Sequence, residues 1–112
     1  MGTNCDEPPA PGPGTAVSGC YGIHYEVFGE GEPLVLVHGW SLNIESNWKS
    51  TGWIDALREH RQVIALDIRG HGGSDKPRER SAYSYAAMAE DVLAVMDHLD
   101  VERADLLGYS LG

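Results

Sequence analysis

From residue 20 onward the chain alternates unbroken apolar runs with glycine-rich breaks. In "YGIHYEVFG" (21–29), Ile23, Tyr25 and Val27 alternate with His24, Glu26 and Phe28, which predicts a half-buried strand. "GEG" (29–31) follows as a hairpin-type turn, so this strand is expected to run antiparallel to its neighbour. "PLVLVHG" (33–39), "QVIALDI" (62–68) and "RADLLGYS" (103–110) read as strands buried on both faces, the habit of parallel central strands. Between the first two, "ESNWKSTGWIDALREH" (45–60) spaces Trp48, Trp53, Ile54 and Leu57 as a helix would, with Ser46 as N-cap and Gly52 as its weak point. "SYAAMAEDVLAVMDHL" (84–99) is the clearest helix. Met88, Val92, Val95, Met96 and Leu99 form one stripe, and Glu90, Asp91, Asp97 and His98 fall largely off it. The alternation predicts an α/β fold, a mostly parallel sheet with flanking helices.

Composition narrows the class. The 112 residues suffice for one small domain. Residues 1–19, rich in proline and glycine, read as a disordered tail, leaving 20–112 as the ordered part. The net charge of −9 comes from 17 acidic against 8 basic residues, which argues against a nucleic-acid partner. "KPRER" (76–80) is the one basic cluster and reads as a solvated loop. No apolar run reaches the length of a membrane span, and no signal-peptide core follows Met1. "MGTNCD" has Asp6 where a myristoylation signal wants Ser or Thr. A cytoplasmic location is therefore favoured, although Cys5 and Cys20 leave a disulfide open.

The chemistry concentrates at strand ends. "GYSLG" places Ser110 directly after an apolar strand, between Gly108 and Gly112. G-x-S-x-G in that setting predicts a nucleophile elbow, a turn so sharp that the serine takes a strained backbone and lifts its hydroxyl above the sheet. "LVLVHGW" (34–40) ends a second strand on His38 and Gly39. The backbone N–H groups of Trp40 and Leu111 are the expected pair of donors to an oxyanion. His38 is expected to be structural, a brace for its loop. "DIRGHGGSDKP" (67–77) fails as a dinucleotide loop, because Asp75 stands where the third glycine belongs and Pro77 interrupts. Arg69, His71 and Asp75 are expected to brace this loop. The five histidines are dispersed, with neither a helical pair nor a cysteine companion, so neither a metal nor another cofactor is expected.

The order "VLVHGW", "VIALDIRGHGGSDKP", amphipathic helix, "ADLLGYSLG" resembles the amino-terminal half of the α/β-hydrolase superfamily over residues 20–112. The resemblance implies an eight-stranded, mostly parallel sheet, with a nucleophile after the fifth strand and an oxyanion hole from the His-Gly loop. Relatives that open epoxides or remove halide generally use aspartate where this chain has Ser110. The "HGW" and "RGHGGSD" wording is most similar to the cofactor-free haloperoxidase/esterase-like and C–C-bond hydrolase branches.

What the resemblance implies for activity is a serine hydrolase, acting on a small ester-like or related carbonyl substrate through an acyl-enzyme. In this superfamily the nucleophile is followed by Asp or Glu and then His, and both partners would lie beyond residue 112. The 112 residues thus read as a fragment, inactive in isolation, with strand 103–109 as an open edge for association. The competing reading is a non-catalytic receptor that uses the same pocket for a small ligand.

Overall fold

The structure is a computed structural model, and it describes residues 9–110. Five strands form one sheet: β1 (Thr15–Ser18), β2 (Tyr21–Phe28), β3 (Glu32–Val37), β4 (Arg61–Leu66) and β5 (Asp105–Gly108). Their order across the sheet is β1-β2-β4-β3-β5. The sheet is α/β and mixed. β3 runs parallel to both β4 and β5, whereas β2 is antiparallel to β4 and to β1.

Alternate residues of the central strands feed two cores, as the two-residue period of a strand requires. Val35, Val37, Ile64 and Leu66 face one side, with Ile23, Tyr25 and Ile68. Helix α2 (Tyr85–His98) covers that side with Met88, Val92, Val95 and Met96, the stripe expected from the sequence, and Leu99 follows just beyond its end. Leu34, Leu36, Val63 and Ala65 face the other side, under Ile44, Trp48 and Ile54. Trp48 and Ile54 come from the segment expected to be one helix over 45–60, and Ile44 immediately precedes it. The segment is instead a wide π-type turn (Ile44–Lys49), closed by Ser50 N–H to Glu45 O at 2.9 Å, and a short helix α1 (Trp53–Leu57). Gly52, at φ 88, separates the two. The N-cap is Asn43 rather than Ser46. Asn43 Oδ1 accepts from Ser46 N–H at 2.8 Å while Ser46 Oγ accepts from Asn43 N–H at 3.2 Å, a reciprocal capping box.

Two further expectations are corrected. The antiparallel pairing of β2 holds, but its partner is β4, so "GEG" does not close a hairpin between β2 and β3. The turn carries the chain across the end of β4. A side chain on Gly29, at φ 75, would run into the carbonyl of Arg58 and come within 2.7 Å of that of Arg61. Order also begins before residue 20. β1 pairs with β2 from Thr15↔His24 to Ser18↔Tyr21, and Ala16 and Ser18 are buried. The pairing and the cover of α2 supply what the segment's own composition lacks. Cys20, just after β1, is disulfide-bonded, and Cys5, the other cysteine of the chain, lies outside the described residues.

β5 pairs only with β3 among the described strands and is an edge. The expectation of a fully buried third strand gives way accordingly, and Leu106 is 61% exposed.

One ion pair ties helix to sheet. Asp91, expected off the apolar stripe, is completely buried in α2. Arg69 Nη2 meets its Oδ1 at 2.7 Å and Arg69 Nε its Oδ2 at 3.0 Å, and Arg69 Nη1 donates to Ala82 O at 2.9 Å. The hydrogen bonds to Asp91 raise the pKa of the guanidinium above its already high ordinary value. Removing one partner of such a pair strands a buried charge. Asp91→Ala is therefore expected to lower stability by about 3–5 kcal/mol in urea unfolding, while Asp97→Ala, on the solvent side of α2, stays within about 0.5 kcal/mol. Equal effects for the two would contradict the assignment.

Candidate active site

The parallel pairing of β3 with β5 runs from Leu34↔Asp105 to Val37↔Gly108, so both strands end at the same edge of the sheet. One more bond continues it, Tyr109 N–H to Val37 O at 3.1 Å. The next residue is Ser110. Its φ is 59, the left-handed region that a serine enters only when its surroundings impose it. The strained backbone that an elbow asks of its serine is thus present at Ser110. Leu111 and Gly112, the expected second oxyanion donor and closing glycine, lie outside the described residues.

Gly39 is where the two strand ends meet. A side chain there would come within 3.1 Å of Ser110 Cβ and 3.0 Å of the Tyr109 ring. A glycine makes this approach without crowding either neighbour, and it sets the backbone of Trp40 next to Ser110. Two side chains and one backbone bond hold this loop. Asn47 Oδ1 accepts from Gly39 N–H at 2.9 Å. His38 Nδ1 donates to Gly39 O at 2.8 Å. Leu42 N–H reaches the same carbonyl at 3.1 Å, closing a turn over Gly39–Leu42. Because the peptide is planar, fixing the Gly39 carbonyl fixes the opposite direction of the Trp40 N–H. That N–H donates to nothing among the described residues.

The expectation that His38 is structural holds. It is fully buried, and its Nε2 accepts from Ile68 N–H at 3.0 Å. Both ring nitrogens are thus engaged with backbone. His71 is similarly occupied: Nδ1 donates to Arg69 O at 3.1 Å and Nε2 accepts from Ser41 N–H at 3.1 Å. Its ring packs edge-on to that of Trp40, which is itself 58% exposed. Asp75 Oδ2 accepts from Gly22 N–H at 2.8 Å, locking the loop after β4 to the start of β2. Arg69, His71 and Asp75 are all braces, as expected.

Two residues escaped the sequence reading. Asp67, at the end of the β4 run, accepts from Ile44 N–H and Gly73 N–H, each at 2.9 Å, and so joins both loops at this edge. Asn47 fixes Gly39. A buried-strand run that ends on aspartate just before a glycine-rich loop is a signal that could have found the first. Nothing in the spacing of Asn47 marks it. Among the described residues, no cluster of His, Cys, Asp or Glu could hold a metal ion.

Burial depresses the pKa of His38 below its ordinary 6.5, overriding the opposite pull of the Gly39 carbonyl. The folded state therefore prefers the neutral ring. That preference stabilises the fold above about pH 6.5 and is lost as pH falls through the lower folded value. Urea midpoints of the wild type are expected to fall more steeply between about pH 7 and about pH 5 than those of His38→Gln. Parallel pH profiles would contradict this.

Comparison with known proteins agrees with this geometry. The family model for the alpha/beta hydrolase fold matches residues 32–112. The dihydrolipoyllysine-residue acetyltransferase component of the acetoin cleaving system of Pseudomonas putida is 45% identical over 89 residues, which are 79% of this chain and 23% of that protein. The soluble epoxide hydrolase of Corynebacterium sp. (strain C12) is 38% identical over 92 residues, 82% of this chain and 30% of that protein. The solved structure of Est816, described as an N-acyl homoserine lactone degrading enzyme, is 38% identical with a TM-score of 0.74, and covers 87% of this chain and 36% of that one. The chain thus spans from about a quarter to just over a third of the length of the proteins it matches. The matched stretch contains both β3 with its His-Gly loop and β5 with Ser110 after it, and the chain belongs to the α/β-hydrolase fold family.

Proposed function

We propose that the protein carrying this chain is a serine hydrolase that cleaves an ester-like or related carbonyl substrate through an acyl-enzyme. One observation carries the reading: Ser110 sits in a left-handed backbone at a strand end, pressed against Gly39 and hence beside the Trp40 N–H. Ser110 Oγ attacks the carbonyl carbon, and its proton passes to a base. The negative charge that develops on the carbonyl oxygen is met by the N–H groups of Trp40 and Leu111. The alcohol leaves, and water then releases the acyl group from Ser110.

The relatives differ in chemistry, and the nucleophile discriminates among them. An aspartate would favour epoxide opening, as the family resemblance implies; a serine favours acyl transfer. A lactone, the substrate class named for Est816, is an internal ester and fits the serine. His38 and His71 are poor candidates for the base, since each already spends both ring nitrogens on backbone. The base and its orienting acid are accordingly sought after Ser110, in the family's order.

In the full-length gene product, Ser110→Ala is expected to lower turnover of a p-nitrophenyl ester by a factor of about 10³ or more. Unchanged turnover would overturn the reading, and a protein with no esterase activity at all would favour the small-ligand receptor. The isolated 112-residue chain is expected to show no turnover that depends on Ser110.

We further propose that the edge of β5 associates with another chain when the 112 residues stand alone. Leu106 on that edge borders an apolar hollow formed with Val37, Ile68, Tyr85, Met88 and Val92. Sedimentation is expected to show self-association that Leu106→Lys weakens. A folded monomer in dilute solution would contradict it.

A further inference from the structure

The turn Gly39–Leu42 is strained at its third residue. Ser41 has φ 67, whereas Trp40 before it is not among the residues with positive φ. Closed by Leu42 N–H to Gly39 O, this is the type II arrangement, which normally asks for glycine where Ser41 stands. In a type II turn the central peptide, here Trp40–Ser41, is flipped relative to type I. What faces its N–H is His71 Nε2 at 3.1 Å. That nitrogen must be an unprotonated acceptor, because the other ring nitrogen donates to Arg69 O.

We propose that His71 is a positioning residue for the reaction assigned above: as an acceptor it holds the Trp40–Ser41 peptide in its strained orientation, and its protonation releases that peptide. The proposal rests on the serine hydrolase reading for its catalytic consequence, though not for the turn itself. A protonated Nε2 presents a hydrogen to the Ser41 N–H, and two donors repel. Rotating the central peptide turns the Trp40 carbonyl toward Nε2–H instead and brings Ser41 back to negative φ. One change of charge thus removes the bond that holds the turn and favours the unstrained alternative. Trp40 lies between the two peptides, and its ring leans on His71 with centroids 4.9 Å apart, so the residue offering the oxyanion N–H moves with the switch.

Titratable and charged groups face His71 from its own loop and from the loops packed against it. His38 lies with its ring centroid 5.0 Å away, on the loop after β3. Asp67 and Arg69 lie on its own loop, and Asp67 binds the N–H groups of Ile44 and Gly73 while Arg69 is turned to Asp91. Lys76 donates to Gly72 O at 2.7 Å, and Tyr83, which shares a hollow with Trp40, Ser41 and His71, has its hydroxyl bound to Pro77 O.

Two measurements on the full-length protein test the proposal. In the first, the amide ¹H and ¹⁵N shifts of Ser41 are followed by NMR against pH. They are expected to titrate together with His71 Nε2 and to stay flat in His71→Gln, whose amide oxygen remains an acceptor at every pH. A Ser41 amide that ignores the titration of His71 overturns the proposal, whatever the fate of the serine reading. In the second, ester turnover is measured across pH. His71→Leu is expected to lose at least about ten-fold in kcat with little change in KM, less than the 10²–10³ cost of deleting an oxyanion donor outright. His71→Gln restores part of that loss and lacks the acid limb that His71 contributes. Ser41→Gly, which takes the left-handed conformation at no cost, moves that limb to lower pH. A His71→Leu enzyme with wild-type kcat and pH profile overturns the catalytic role, while loss of the Ser110 dependence alone overturns the serine reading.

Discussion

Parallel pairing of β3 with β5 is the constraint on which the rest of this structure depends. Parallel strands end at the same edge of a sheet, so the loops that follow them converge there. Here the register brings Val37 opposite Gly108, and one further bond, from Tyr109 N–H to Val37 O, places residues 39 and 110 against each other. Gly39 lets the two backbones close to a distance at which a side chain would crowd Tyr109 and Ser110. The strained serine and the Trp40 N–H become neighbours because the sheet leaves them nowhere else to be.

Holding that edge takes buried polar groups, and each makes at least one hydrogen bond to a loop backbone. Asp67 bridges two loops, Asn47 and His38 grip the peptides before and after Gly39, and His71 grips the peptide after Trp40. Arg69 and Asp91 then lock the loop after β4 to α2, on the far side of the sheet from Trp48. Such groups are costly to bury unless they are satisfied. Their concentration at one edge, and not through the cores, marks where the fold invests in geometry.

Much of this was legible in the sequence. The runs at 33–39 and 62–68 and the stripe of α2 carry their burial in their own residues, and they formed as read. The left-handed backbone of Ser110 was legible from the strand before it and the glycine-rich pattern around it. Strand order was not. "GEG" has the chemistry of a hairpin turn, and only the contact of Gly29 with residues 58 and 61 shows that β4 intervenes. β1 was hidden because four residues of small side chains gain their order from β2 and α2 and not from themselves. Asp91 was misplaced for a related reason: a charged residue on a helix reads as solvated until its partner, 22 residues away in sequence, is known.

The central claim is that Ser110 is the activated group at this edge. The most direct test is to treat the full-length protein with a serine-reactive phosphonate and locate the adduct by peptide mass spectrometry. The account predicts one stoichiometric adduct, on Ser110. An adduct on any other residue, or none in a protein that hydrolyses esters, would contradict it.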